Sequence, residues 1–202
     1  MESTRASLLR AGRTLFALRG YDGASIRAIT READANLSSV TYHFGAKEKL
    51  YEAVLQSVLA PLAEEVAAIA TSQEGSEDRM VRLVRAFFGH LEENPDLPHL
   101  MLQELAAGKA PPPPVESFLR SVMSHLTTVV REGQGAGEMR DGDPLLLAWS
   151  CIIQPIHFTL VRRWLKVLRS TGPGTAEAAV DPVEHAVTFA RAGLAAQETT
   201  RS

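Results

Sequence analysis

The stretch Ser25–Tyr51, SIRAITREADANLSSVTYHFGAKEKLY, reads as two short helices joined by a tight turn, followed by Phe44-Gly45 and the opening of a third helix. Ser25 is a good N-cap for a helix whose inward positions, Ile26, Ile29 and Ala33, recur at three-to-four spacing and so share one face. That helix stops at Asp34. A turn between two helices needs a residue with positive φ, which glycine meets without strain and which Asp tolerates better than most side chains; Asp34 is assigned that role. Asn36 is expected to cap a second, very short helix in which Val40 and Phe44 point inward, four residues apart. Leu37, Ser38, Ser39, Thr41, Tyr42 and His43 are then left on the outside.

Those outward residues are small, hydroxylated or aromatic. A major groove admits one helix, and small side chains at its N-terminal end let the backbone come close enough to touch base edges and thymine methyls. Lys47 falls in the first turn of the next helix, where its ammonium and the free backbone N–H groups together suit a phosphate. The stretch therefore reads as a DNA-reading device.

The remaining composition agrees with this reading. The chain has 202 residues, 45% hydrophobic and 22% charged, enough to bury a proper core in one or two domains. Its longest apolar run, Leu145 to Leu160, is broken by Ser150, Gln154, Pro155 and His157, and its start lacks the charged-then-apolar profile of a secretory signal. A cytoplasmic protein that does not span a membrane is the expectation. The net charge of −3 divides unevenly: residues 1–50 carry eight Lys or Arg against five Asp or Glu, a balance of +3, and the remainder carries thirteen against nineteen, −6. The asymmetry points the N-terminal end at a polyanion. The one cysteine, Cys151, has apolar neighbours and is expected to be a buried filler.

Helical signals run along the whole chain, and no strand pattern or internal repeat competes with them. A first helix is expected from about Thr4 to Arg19, ended by Gly20. A fourth, from about Lys47, continues through Leu62 and Val66, with a bend or break at Pro61. Ser76 is expected to cap the next, which carries Phe87, Phe88 and Leu91 behind an acidic first turn. A short helix over roughly 97–107 follows, and then one from about Pro114 through Phe118, Val122 and Leu126 toward Gly133. Asp143-Pro144 and Asp181-Pro182 are start signals for the last two helices, separated by a loop over 170–180. The fold class is all-α, with an N-terminal helix-turn-helix domain over 1–50 and a helical domain over 51–202.

From about Arg5 to about Val58 the residues resemble the N-terminal domain of the TetR family of one-component bacterial regulators. The resemblance is carried by a first helix ending in Phe16 to Gly20, Tyr21 and Gly23, Ser25-Ile26, the Ala33 to Ala35 turn, Tyr42-His43-Phe44, Lys47-Glu48 and Leu50-Tyr51. Asp34 stands where the family has glycine, Thr41 where an aromatic is common, and Ala46 where a Ser cap is usual. The resemblance implies a regulator without cofactor, commonly a repressor, that binds a palindromic double-stranded DNA operator as a homodimer and is released by a small-molecule effector. The DNA set is then Ser25, Arg27, Asn36, Leu37, Ser38, Ser39, Thr41, Tyr42, His43 and Lys47. The middle helices are expected to enclose the effector with Leu62, Val66, Phe87, Phe88, Leu91, Met101, Gln103, Leu105, Phe118, Val122, Leu126, Ile153 and His157, which suits a mostly apolar or aromatic molecule. The last two helices are expected to meet a second chain through Ile156, Leu160, Trp164, Val183, Val187, Ala190 and Leu194.

Two other readings stand beside this one. An effector-independent DNA-binding protein of the same fold would show a closed core in the middle helices. An all-helical enzyme has little to support it: GQGAG at 133–137 does not follow a strand, and the histidines at 43, 90, 99, 125, 157 and 185 lack metal-ligand spacing. No metal is expected.

Overall fold

The computed structural model of the chain describes residues 3–171 and 181–196. Among these are the helices α1 (Thr4–Gly23), α2 (Ile26–Glu32), α3 (Ser38–Phe44), α4 (Lys47–Ala70), α5 (Ser76–Glu93), α6 (Leu97–Ala106), α7 (Pro113–Gly135), α8 (Pro144–Thr171) and α9 (Pro182–Leu194), and no strand. The all-α expectation therefore holds. Residues 172–180 of the expected loop lie outside the described residues. The contacts divide the chain into two compact units, 1–61 with 96–118 and 62–95 with 119–202.

In the first unit, α1 is broken at Gly20, where φ is 70° and ψ 173°, so the glycine interrupts the helix three residues before its assigned end. Leu8, Leu15 and Phe16 from α1, Ile29 from α2, Val40 from α3 and Leu50, Tyr51, Val54 and Leu55 from α4 form the core. Phe16 meets the Tyr51 ring edge-on at 4.7 Å, an arrangement that places a positive ring edge against a negative face. Polar bonds attach α6 to this unit. Arg13 Nε donates to Asp96 Oδ2 (2.7 Å), Gln103 Nε2 donates to the Ala17 carbonyl (3.1 Å), and the Tyr51 hydroxyl bonds Glu104. Burial alone would raise the Asp96 carboxyl pKa, but the bond and charge of Arg13 hold it below its ordinary value.

In the second unit α5 is the central helix, packed against α8 and α9 with Met80, Leu83, Val84, Phe87 and Leu91 buried. Ser76 is not the cap expected of it. It is the first helical residue after Gly75, its N–H donates to Glu138 Oε2 (3.0 Å), and its hydroxyl accepts from Arg79. Arg79, itself buried, also donates to the Ala70 carbonyl (2.7 Å) and to Glu132 (2.6 Å), so one guanidinium serves the end of α4, the start of α5 and α7. Asp143 and Asp181 cap α8 and α9 as expected, accepting from Leu145 and Val183. Cys151 is buried and free, and burial pushes its thiol pKa up to about 11, which keeps it protonated and unreactive at neutral pH.

Of the bend or break expected at Pro61, the break does not occur, since α4 continues as one helix through the proline. It and the Pro144–Leu168 part of α8 are long and apolar enough to cross a membrane by length and composition. In α4 that apolarity is core, since Leu50, Val54, Leu55, Val58, Leu59, Leu62 and Val66 are all buried. In α8 one face is buried through Leu147, Ala148, Cys151 and Ile152, and the other exposes Leu145, Leu146, Trp149, Ile153 and Trp164.

Candidate nucleic-acid interface

Local chemistry builds the reading unit. The Ser25 hydroxyl accepts from the Ala28 N–H (3.2 Å) and starts α2. Asp34 has φ 49°, the left-handed turn expected of it, and the chain closes there through the bond from Ala35 N–H to the Thr30 carbonyl (2.9 Å). An Asp34→Val chain is expected to lose about 1–2 kcal/mol of stability because a β-branched side chain fits this region poorly. Urea unfolding of the two proteins measures the difference.

α3 departs from expectation at its start. Leu37 occupies the cap position with no side-chain cap bond, and Asn36 contributes its carbonyl, which accepts from Ser39 N–H, rather than its side chain. Gly45, at φ 80°, ends the helix. Val40 is buried and Phe44 half-buried, so the opposite side faces solvent. Tyr42 is 84% exposed, Leu37, Ser38 and Thr41 are exposed, and Ser39 and His43 are half-buried. Ser25, Arg27 and Asn36 are exposed beside them. Lys47 holds its ammonium 4.4 Å from the centre of the Tyr21 ring, which steadies a long side chain without neutralising it.

The residues expected around an effector are only partly brought together. Leu62, Val66, Phe87, Phe88, Leu91, Val122 and Leu126 are buried in the second unit, where Phe88 stacks on Phe158 at 6.5 Å. Met101, Gln103, Leu105 and Phe118 belong to the first unit instead, with Gln103 engaged by α1 and Leu105 79% exposed. Ile153 and His157 are exposed, because α8 turns Cys151, Ile152 and Pro155 inward and the 100° step of a helix carries 153 and 157 to the other side. Two clefts of about 360 and 380 Å³ open in the second unit. One is lined by α4 and α5 residues including Glu65, Arg82 and Gly89, the other by 70–74, Arg79, His125, Thr128 and Glu132, and none of the expected effector residues lines either.

The residues expected at a second chain divide likewise. Val187, Ala190 and Leu194 are buried in the chain's own core, since α9 packs its apolar stripe on α5 and α8. Ile156, Leu160 and Val183 are half-buried, and Trp164 is 74% exposed. The apolar surface left open also includes Leu145, Leu146, Trp149 and, on α9, Phe189. Sequence reasoning passed over these four, although 145, 149 and 153 recur four apart on one helix face.

A three-helix reading unit with an exposed hydroxyl-bearing helix, joined to an all-helical domain, defines a helix-turn-helix DNA-binding regulator. Residues 8–54 match the family described as bacterial regulatory proteins, tetR family, and residues 77–189 match the Tetracyclin repressor-like C-terminal domain. The chain belongs to the TetR family of transcriptional regulators, and it is a regulator rather than an enzyme. Among its relatives, the HTH-type transcriptional repressor NicS of Pseudomonas putida is 24% identical over 162 residues, 78% of this chain and 76% of that protein. The HTH-type transcriptional repressor SCO4008 of Streptomyces coelicolor is 28% identical over 79% of this chain and 84% of its own length. The structure of the fatty acid degradation regulator FadR from Bacillus halodurans superposes with a TM-score of 0.71 at 15% identity, covering 96% of this chain and 97% of that one, a likeness of fold.

Proposed function

We propose that the protein is a repressor that binds a palindromic operator as a homodimer in the cytoplasm and is released by a small, mostly apolar or aromatic effector. The observation that carries the DNA part is α3 itself: Val40 anchors its inner side, and Leu37, Ser38, Thr41 and Tyr42 face outward beside a Lys47 supported by a ring. In this reading Ser38, Ser39, Thr41 and Leu37 meet base edges, Ser25, Asn36, Tyr42, His43 and Lys47 fix the register on the backbone, and Arg27 takes either a guanine edge or a phosphate. The relatives named as repressors support the direction of control. A dimer reads two half-sites in successive major grooves, and effector binding favours a different separation of the two reading heads, with α4 carrying the change. The effector would enter among Leu62, Val66, Phe87, Phe88, Leu91, Val122 and Leu126.

Electrophoretic shift assays with variant proteins test the assignment. Lys47→Ala is expected to weaken binding to all duplexes alike, and Ser38→Ala or Thr41→Ala to change which duplexes are preferred, by about 1–3 kcal/mol at the affected base pair. The reverse pattern would give Lys47 to the bases and the two hydroxyls to the backbone, and so overturn the proposed roles. A second reading, an effector-independent DNA-binding protein, is favoured by the close burial of Phe87, Phe88, Leu91, Val122 and Leu126. A thermal-shift panel of hydrophobic compounds decides between the two: a compound that raises the melting temperature and releases DNA supports the regulated form.

A further inference from the structure

The cations of the first unit are not equivalent. Arg13 is tied to Asp96, and Lys49 donates to both oxygens of Glu52 at 2.8 and 2.7 Å, so these two charges are compensated within the protein. Arg5, in the first turn of α1, has an aromatic neighbour instead. Its guanidinium carbon lies 5.2 Å from the centre of the Phe44 ring, and among the described residues it has no carboxylate partner. Phe44 is the last residue of α3 and closes a row of rings: Tyr42 to His43 at 4.8 Å, then His43 to Phe44 at 6.3 Å. The Arg5 side chain is exposed and extends that row by one cation.

A guanidinium lying on a ring face is held in orientation while its N–H edge stays open, and that edge matches the oxygens of a phosphate. A recognition helix touches bases mainly through its N-terminal residues, so a cation at its C-terminal end lies toward the rim of the groove, where the backbone runs. We propose that Arg5 is a further DNA contact of this protein, taking a backbone phosphate of the duplex that α3 reads, with the Phe44 ring as its support. The inference rests on the DNA-binding role proposed above and adds to it a residue far from the helix-turn-helix in sequence. Lys47 over Tyr21 is its counterpart at the start of α4, so an aromatic-supported cation stands on each of the two helices that follow or precede the reading pair.

Anisotropy titrations of a labelled duplex between about 50 and about 200 mM salt test it, with the wild type, Arg5→Ala and Arg5→Lys. Loss of one phosphate contact per chain lowers the slope of log affinity against log salt by about 0.9 for each chain bound. Arg5→Ala is expected to show that loss with the order of preference among duplexes unchanged. Arg5→Lys is expected to keep the slope and bind less tightly, since an ammonium keeps the charge and loses the flat seat on the ring. Equal slopes for the wild type and Arg5→Ala overturn the proposal, as does an altered duplex preference, which would assign Arg5 to base edges. A wild type that binds no duplex even at the lowest salt defeats the DNA-binding role itself, whereas a binding wild type with an unchanged Arg5→Ala slope defeats the Arg5 contact alone.

Discussion

Replacing Phe16 by alanine is expected to cost about 3–5 kcal/mol of unfolding free energy, the range for a large aromatic removed from a closed core. The side chain is completely buried. Its ring meets Tyr51 edge-on at 4.7 Å and stacks over Tyr21 at 6.1 Å, and the Tyr21 and Tyr51 rings lie 5.1 Å from each other. The space cannot easily collapse, because Tyr51 is anchored by its bond to Glu104. A cavity therefore remains, and its cost adds to the lost transfer energy. The Tyr21 ring is also the support of Lys47. Phe16→Ala should accordingly weaken DNA binding as well as stability, although Phe16 touches no solvent. Urea unfolding followed by circular dichroism, with the transition of the first unit resolved from that of the second, gives the stability change. A Phe16→Leu chain, which refills most of the volume, is expected to lose less than about 1.5 kcal/mol. A loss under about 1 kcal/mol for Phe16→Ala would show that the three rings are not the keystone of the unit.

What the sequence disclosed was governed by how local the cause is. Ser25, Asp34, Asp143 and Asp181 act on backbone groups within a few residues of themselves, so their types at those positions sufficed to place a cap or a turn. Val40 and Phe44 were legible because four-residue spacing puts both on one side of a single helical turn. Ser76 was misjudged for the opposite reason, whereas at Asn36 the local bond is made by the carbonyl and not by the side chain. At Ser76 the first free N–H of α5 is met by Glu138, sixty-two residues away, a partner no local pattern names. Arg79 is the sharper instance. Periodicity assigns an arginine to a solvated face, yet this one is buried because three acceptors from separate parts of the chain converge on it. The same limit governs the last two helices: an apolar stripe on α9 declares that one face is buried, and only tertiary packing reveals that α5 and α8 of the same chain bury it. Segment 96–118 likewise joins the N-terminal unit through Asp96, Gln103 and Glu104, polar residues whose destination periodicity does not encode.

A chain carrying Trp149→Asp together with Phe189→Asp is expected to lose operator affinity by about 10²–10⁴-fold, the factor that separates two linked reading heads from one. Leu145, Leu146, Trp149, Ile153 and Trp164 face solvent on α8, and Phe189, 56% exposed, does so on α9. Phe158 and His185 meet at 5.8 Å where α8 packs against α9. Monomers seldom leave so many large apolar side chains open without a partner, and a two-fold contact is the arrangement in which the same surface serves both sides. An aspartate at either position would have to be desolvated without a counter-charge, which opposes association far more than removal of the ring alone. Neither residue is buried in the protomer, so the double variant should keep the wild-type helical content. Light scattering is expected to give twice the chain mass for the wild type and a single chain for the variant. Titration with operator should then show the variant retaining only weak, strongly salt-dependent binding, because phosphate contacts of one reading head survive while the second half-site goes unread. A variant that stays paired and binds as the wild type does would place the meeting surface of the two chains away from α8 and α9.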